Sequence, residues 1–135
     1  MARPPKKPPA TPTDSALRAS AVFACVKVIS EDLAAMPLNV YRHIKPRGKE
    51  FAPEHRIYGV LQNPNEWQTS FEYREMQTMF LLLRGNSYAL RATVRGQLDE
   101  LLPFHPDHVT PKLDPNGKLV YEVRPPLGGA LGRPG

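Results

Sequence analysis

The sequence is poor in the features that mark secreted, membrane and disulfide-stabilised proteins. It has one cysteine, Cys25, among 135 residues, so it can form neither an internal disulfide nor a cysteine-based metal site. Its longest apolar runs, 21–26 and 79–83, are far shorter than the roughly 20 residues of a membrane-spanning helix. The basic residues near the N-terminus are not followed by the apolar segment of a secretory signal. These absences predict a soluble, intracellular protein.

The sequence also lacks the common catalytic and cofactor-binding motifs. It contains no phosphate-binding or dinucleotide-binding glycine pattern and no Gly-x-Ser-x-Gly. Asp99 and Glu100 are adjacent, so on a strand they point in opposite directions and do not suit a paired acid–base role. His105, Asp107 and His108 could ligate a metal, but on an extended segment His108 points away from the other two. We therefore predict that the protein is not an enzyme and binds no cofactor or metal.

Proline and positive charge are concentrated at the two ends of the chain. Half of the sixteen prolines lie in residues 1–14 and 124–135, and each of these segments carries +2 of the net charge of +5. Neither segment has the apolar periodicity of a folded element, so both are predicted to be disordered tails, the first basic. Residues 15–123, with a net charge of +1, are predicted to form one folded body. Lys6 and Lys7 are candidates for contact with a nucleic acid, although a solubilising tail is the favoured interpretation.

The body is predicted to begin with an unusually apolar helix over residues 15–36. Thr13 or Asp14 would cap it, and Pro37 would end it. Its only hydrophilic side is a narrow polar stripe that includes Lys27. The apolar face of this helix is therefore wider than that of an ordinary surface helix. The helix is therefore either central in its own domain or covered on a second side by a partner.

A β-hairpin is predicted to follow this helix, and a second main helix is predicted further along. The hairpin tip carries a basic group, Arg42, Lys45, Arg47 and Lys49, which is predicted to be solvated, with contact to a charged partner as the alternative. The second helix follows a short helix and an Asn-Pro-Asn turn. It starts at a capping box of Thr69 and Glu72 and ends at Gly85. Its core-facing stripe is predicted to contain Tyr73, Met76, Met79, Phe80 and Leu83.

Two further hairpins are predicted after Gly85. Residues 87–94 alternate as a strand, turn at Arg95-Gly96 and return through Leu98, Leu101 and Leu102. A last hairpin turns at 115–117, where Asn-Gly is a specific signal. The predicted fold class is α+β, with two main helices packed on antiparallel strands and hairpins.

Four short segments follow one another along the body, namely residues 23–26, 37–41, 63–65 and 85–88. In their order and spacing, residues 15–123 resemble the amino-terminal part of the portal proteins of tailed phages, of the HK97-like type. The sequence after Val123 does not resemble the family's continuation, so we expect a truncated or frame-disrupted end. The family-signature structural residues are Ala24, Cys25, Pro37, Tyr41, Asn63, Pro64, Gly85, Asn86 and Tyr88.

The resemblance implies a structural role for the protein. Portal subunits form a ring, usually a dodecamer, at one capsid vertex, through which viral DNA is packaged and ejected. The implied partners are other portal subunits, terminase, capsid and head-completion proteins, and DNA that passes non-specifically; no membrane is implied. The implied location is the virion or prohead, and the host cytoplasm during assembly. From the missing family sequence we also expect the chain alone to be monomeric or to aggregate.

Two alternatives remain open at this point. A small basic module that binds nucleic acid or protein without catalysis would bind DNA in a salt-sensitive way after residues 1–14 are removed. A degenerate enzyme domain would lose its activity when both His105 and Asp107 are mutated.

Overall fold

The computed structural model describes residues 12–124, with side chains from Arg18 onward. This part of the chain forms three α-helices, one short 3-10 helix and six β-strands. The α+β class is therefore confirmed. In chain order the elements are α1 (Pro12–Ala35), β1 (Tyr41–His43), β2 (Lys49–Phe51), α2 (Arg56–Gln62), α3 (Ser70–Arg84), β3 (Tyr88–Val94), β4 (Gln97–Phe104), the 3-10 helix η1 (Pro106–His108), β5 (Val109–Leu113) and β6 (Leu119–Val123).

Helix α1 packs against α3 and contributes the buried positions Val26, Ser30 and Ala34. These residues are spaced four apart and therefore lie on one face. The helix ends before Pro37 as predicted, because proline cannot donate the next helical hydrogen bond. The predicted cap was wrong, since residues 13 and 14 both lie inside the helix.

The first predicted hairpin is present but short. Tyr41 pairs with Phe51 and His43 with Lys49, so each strand has three residues. Phe51 is the last residue of the returning strand. Its ring contacts the Tyr58 ring of α2, with centroids 5.5 Å apart, and this contact connects the hairpin to the rest of the body.

Helix α3 begins at the predicted capping box. The Thr69 backbone N–H and hydroxyl donate to Glu72 Oε2 at 2.8 and 2.9 Å, and the Glu72 N–H donates to Thr69 Oγ1 at 3.3 Å. Gly85 ends the helix in the left-handed conformation, with φ of 77°, as predicted. The predicted core stripe is only partly correct: Tyr73, Met76, Met79 and Phe80 are half-buried, whereas Leu83 is exposed.

The capping box predicts a specific acid sensitivity of α3. Hydrogen bonds from Thr69 hold the pKa of Glu72 below its ordinary value of 4.5. A carboxylate with a lowered folded pKa stabilises the protein above its unfolded pKa, and this stability is lost as the pH falls through the folded pKa. We therefore expect Glu72→Gln to flatten the fall in the free energy of unfolding below about pH 4.5, measured by urea denaturation at a series of pH values.

The matched control for this prediction is Glu75→Gln, at an acid of the same helix without a hydrogen bond to the cap. Part of the acid sensitivity should survive in both variants, because the ion pair with Lys112 also lowers the pKa of Glu122. An unchanged pH profile in Glu72→Gln would contradict the prediction.

The remaining strands form two further hairpins, and no sheet in the described residues has more than two strands. β3 and β4 are joined by a tight turn in which Arg95 and Gly96 have φ of 51° and 76°. A register shift between Ala92 and Thr93 marks a β-bulge that the alternation of the sequence did not predict. Isolated two-stranded hairpins are marginal in water, and β4 gains support from its contact with α2.

Candidate functional site

The most unusual feature of the described residues is the apolar surface of α1. Val22, Phe23, Val28, Ile29 and Leu33 are all at least 44% exposed, and they surround the helix on several sides. We call these five residues the α1 surface. α1 buries only a narrow strip against α3, so it is not central in the described part of the chain, and its cover by a partner remains a prediction.

A shallow apolar depression that is suited to close packing adjoins the α1 surface and shares Val28 and Ile29 with it. Ala24, Cys25, Val28 and Ile29 line it without a polar side chain. Small residues let a second element approach the helix backbone closely. Together with the exposed Phe23, the depression offers both a recess and a protruding ring on one helix.

The second notable arrangement is the Asn-Pro-Asn turn between α2 and α3. Asn63 is the exposed C-cap of α2, and its backbone N–H donates to Gly59 O at 2.9 Å. Pro64 is fully buried, and its carbonyl oxygen accepts from Leu101 N at 2.7 Å. The turn therefore fixes the helices against β4.

Asn65, which is 7% exposed, completes this junction. Its Nδ2 donates to Leu101 O at 3.1 Å and to Gln68 Oε1 at 2.9 Å, and its Oδ1 accepts from the Trp67 N–H at 3.2 Å. The sequence signal of the turn was visible, but the long-range bond to Leu101 was not. Asn65 is thus a buried polar residue with its hydrogen-bonding groups satisfied.

The family-signature residues do not converge on one site. Ala24 and Cys25 lie on the exposed side of α1, and Pro37 follows that helix on the surface. Gly85 ends α3, and the exposed Asn86 follows it. Their spread along the chain is consistent with structural positions, and their role as a family signature remains a prediction.

The two aromatic signature residues lie in separate hairpins. The exposed Tyr41 of β1 contacts the Phe51 ring, with centroids 6.0 Å apart. The half-buried Tyr88 of β3 contacts the Tyr121 ring of β6, with centroids 5.6 Å apart. Each ring pair therefore joins strands that would otherwise have little apolar support.

The basic group of the β1–β2 hairpin is partly neutralised within the chain. Arg42 Nη2 donates to Glu54 Oε1 at 2.6 Å, and Lys49 Nζ lies 4.9 Å from the centre of the Tyr41 ring. Lys45 and Arg47 at the tip have no ion pair with any other residue of 12–124. Lys6 and Lys7 lie outside the described residues. Contact of all six basic residues with DNA or a partner remains a proposal.

The residues weighed as metal ligands form a structural turn instead. The segment is not extended as assumed, because residues 106–108 form η1. His105 Nδ1 accepts from the Asp107 N–H at 3.2 Å, and Asp107 Oδ2 accepts from Arg84 Nη2 at 3.0 Å. Within residues 12–124 no three His, Cys, Asp or Glu side chains are placed to hold a metal ion. The imidazole and carboxylate therefore act as a cap and an ion-pair partner.

None of the helices in the described part of the chain is long and apolar enough to cross a membrane. The exposed apolar groups of α1 are interrupted by Lys27 and Glu31, which form an ion pair at 3.3 Å.

Comparison with known proteins finds two curated relatives that match most of this chain. Protein BeeE of Escherichia coli (strain K12) is 37% identical over 92 residues, which cover 67% of this chain and 58% of BeeE. The portal protein of Enterobacteria phage HK97 is 33% identical over 111 residues, which cover 80% of this chain and 26% of that protein. The chain thus spans only part of the length of both relatives.

A sequence profile described as phage portal protein matches residues 20–133. The match begins within α1, includes every described element after it, and continues ten residues past Val123, where the resemblance was expected to end. The matched segment is most of the chain. The resemblance to the portal proteins of phages such as HK97 is therefore confirmed, and the chain belongs to the phage portal protein family.

Proposed function

We propose that the chain is part of a structural portal subunit, one copy in the ring at the capsid vertex through which viral DNA is packaged and ejected. The observation that carries this proposal is the α1 surface, in a chain of the portal family. A soluble monomer rarely exposes large apolar groups on several sides of one helix, and such surfaces mark contacts with other proteins. A ring covers them because every subunit has a neighbour on two sides.

The burial within the chain supports the same conclusion. Apart from the prolines at 64 and 106, only five apolar residues in the described part are buried, namely Val26, Ala34, Ala52, Val60 and Val109. Burial of apolar surface contributes about 25 cal/mol of stabilisation for each Å² removed from water, and exposed apolar surface does not make this contribution. The described elements are therefore stabilised strongly by any neighbour that covers them.

The proposed partners follow from this role. They are other portal subunits in a dodecameric ring, the terminase, capsid and head-completion proteins, and DNA that passes without sequence-specific contact. The proposed location is the prohead or virion, with assembly in the host cytoplasm. The chain itself would supply no catalysis, and ATP hydrolysis would belong to the terminase. Lys45 and Arg47 are the proposed contacts to a phosphate backbone or an acidic partner.

The experiment that tests the function is a chimera. Residues 20–133 replace the matching segment of the HK97 portal protein, and phage lacking its own portal gene is complemented with the chimera. We expect discrete rings by negative-stain electron microscopy and measurable phage yield. A folded, soluble chimera that forms no rings would contradict the proposal, and salt-sensitive DNA binding by such a chimera would favour a basic binding module.

A matched pair of variants tests the surface within the chimera. Val28→Asp changes a valine of the α1 surface that is 57% exposed, and Val94→Asp changes a hairpin valine that is 52% exposed. Because both side chains are in water in the single chain, neither variant should unfold it. We expect Val28→Asp to abolish rings and Val94→Asp to retain them. Normal rings with Val28→Asp would show that this part of α1 is not covered in the assembly.

A further inference from the structure

A recess with apolar walls lies between the β3–β4 and β5–β6 hairpins. We call it the hairpin recess. It has a volume of about 530 Å³, and the two hairpins that border it belong to separate sheets. Residues that are paired, or two apart along a strand, lie on the same face of a sheet. Six apolar residues of the lining therefore come from one face of each hairpin: Tyr88, Leu90 and Phe104 from β3–β4, and Val109, Tyr121 and Val123 from β5–β6.

The hydrogen bonds at the two ends of the β5–β6 ladder show which backbone groups point away from it. The Arg124 N–H donates to His108 O at 2.8 Å, and the Asp114 N–H donates to Lys118 O at 2.9 Å. Hydrogen-bonded and non-hydrogen-bonded pairs alternate in an antiparallel ladder, and this ladder has no register shift. The residues whose N–H and C=O point outward are therefore Leu119, Tyr121 and Val123 on β6, and Val109, Pro111 and Leu113 on β5.

The two outer edges of this hairpin differ in their capacity to pair. On β5 the Val109 N–H already donates to Pro106 O, and Pro111 has no N–H, so this edge is interrupted. On β6 the outward backbone groups have no hydrogen-bond partner within residues 12–124. An edge with unpaired N–H and C=O groups is a template for another extended chain. β6 is therefore the open edge of the hairpin.

The β3–β4 hairpin also has one covered and one open edge. The Leu101 N–H of β4 donates to Pro64 O at 2.7 Å, and Leu101 O accepts from Asn65 Nδ2 at 3.1 Å. Because Leu101 turns these groups away from β3, its partner Arg91 turns its own away from β4, and so does Ala89 two residues earlier. Ala89 lines the hairpin recess. The open edges of β3 and β6 thus border the same recess.

We propose that the hairpin recess binds a single extended strand of a partner protein, which pairs with β3 on one side and with β6 on the other. The inserted strand joins the two hairpins into one five-stranded sheet. Its backbone complements both edges in charge, since each outward N–H meets a partially negative C=O and each C=O meets an N–H. The apolar walls select an apolar side chain at every second position, with polar side chains between them.

A second copy of the chain does not meet this requirement through its described strands. Each strand of residues 12–124 already has a hydrogen-bonded neighbour on one side. Such a strand has one free edge and would pair with β3 or with β6, but not with both. The recess therefore fits a segment that has no strand neighbours of its own.

Binding of a defined peptide to the full chain tests the proposal. The probe is a fluorescein-labelled octapeptide with three threonine–valine repeats between terminal lysines, and the control peptide carries an N-methyl group on each valine. The valine N–H groups all point to one edge of the strand, so methylation prevents pairing with one hairpin. By fluorescence anisotropy we expect a Kd at least about tenfold weaker for the control. Equal affinities, or no binding of the probe at about 1 mM, would overturn the proposal.

A matched pair of proline variants tests the β6 edge within the chain. Val123→Pro removes an outward N–H from the open edge, and Leu113→Pro removes one from the β5 edge that Pro111 already interrupts. Neither change removes a hydrogen bond of the ladder, so both variants should keep the cooperative urea transition of the wild type. We expect Val123→Pro to bind the probe at least about tenfold more weakly and Leu113→Pro to bind it like the wild type. Equal binding by the two variants would overturn the proposal.

Amide hydrogen exchange followed by NMR shows what occupies the β6 edge. In the chain alone, the Tyr121 and Val123 amides should exchange rapidly and the Val120 and Glu122 amides slowly, because only the second pair donates within the ladder. The probe should slow exchange at Tyr121 and Val123. Slow exchange at these two amides without the probe would overturn the proposal, and would indicate a second copy if it increases with protein concentration. The measurement requires no ring, so it is independent of the chimera experiment.

Discussion

Val26→Asp is expected to abolish the folded state of the chain. Val26 is 6% exposed and belongs to the narrow strip that α1 buries against α3. A carboxylate at this position would lose its hydration without gaining a partner, at a cost of about 4 kcal/mol. Because few apolar side chains are buried in the described residues, the remaining contacts cannot offset such a loss. The measurement is loss of the cooperative urea transition followed by far-UV circular dichroism.

Val22→Asp is the matched control for this prediction. Val22 lies one turn earlier on the same helix and is 53% exposed, so its aspartate stays hydrated in the isolated chain. We expect a change in the free energy of unfolding of roughly 0.5 kcal/mol or less. Equal destabilisation by the two variants would mean that α1 does not pack against α3 through Val26.

Asn65→Ala is expected to lower the free energy of unfolding by roughly 3 kcal/mol. The truncation removes the three hydrogen bonds that connect the turn to Leu101, Gln68 and Trp67. It also leaves the part-buried Leu101 carbonyl and Trp67 N–H short of one partner each, and an unsatisfied buried group costs more than the bond contributes. Urea denaturation of the wild type and the variant measures the difference.

Asn63→Ala and Asn65→Asp separate the causes of this effect. The Asn63 side chain is exposed and makes no hydrogen bond within residues 12–124, so its removal should cost less than about 0.5 kcal/mol. Asn65→Asp keeps the acceptor for the Trp67 N–H but loses both donors, so an effect close to that of alanine is expected. A neutral Asn65→Ala would show that the turn does not hold β4 in place.

Local sequence chemistry predicted most of the secondary structure. The Thr69–Glu72 capping box and Gly85 bounded α3 correctly, because caps are formed by residues within one helical turn. The turn at Arg95-Gly96 was also located correctly, because a tight turn is formed by residues adjacent in the sequence. The α1 cap was predicted too late, because a serine, threonine or aspartate near a helix start is as compatible with the first turn as with the cap.

Burial was predicted less well, because it depends on which elements meet. Leu83 fits the apolar stripe of α3 by its spacing, yet it is exposed in the described part of the chain. His105 and Asp107 could be recognised as polar groups near a strand end. Their roles as a cap and as the partner of Arg84 depend on η1 and on a helix more than twenty residues away.

The sequence by itself determined the α+β class, the ends of α3, the turns between strands and the family, since each rests on contacts or patterns that are local along the chain. Only the tertiary structure decided which side of α1 is buried and how Asn65 connects the helices to β4. Burial and long-range hydrogen bonds are properties of two or more elements together, so no single stretch of sequence contains them.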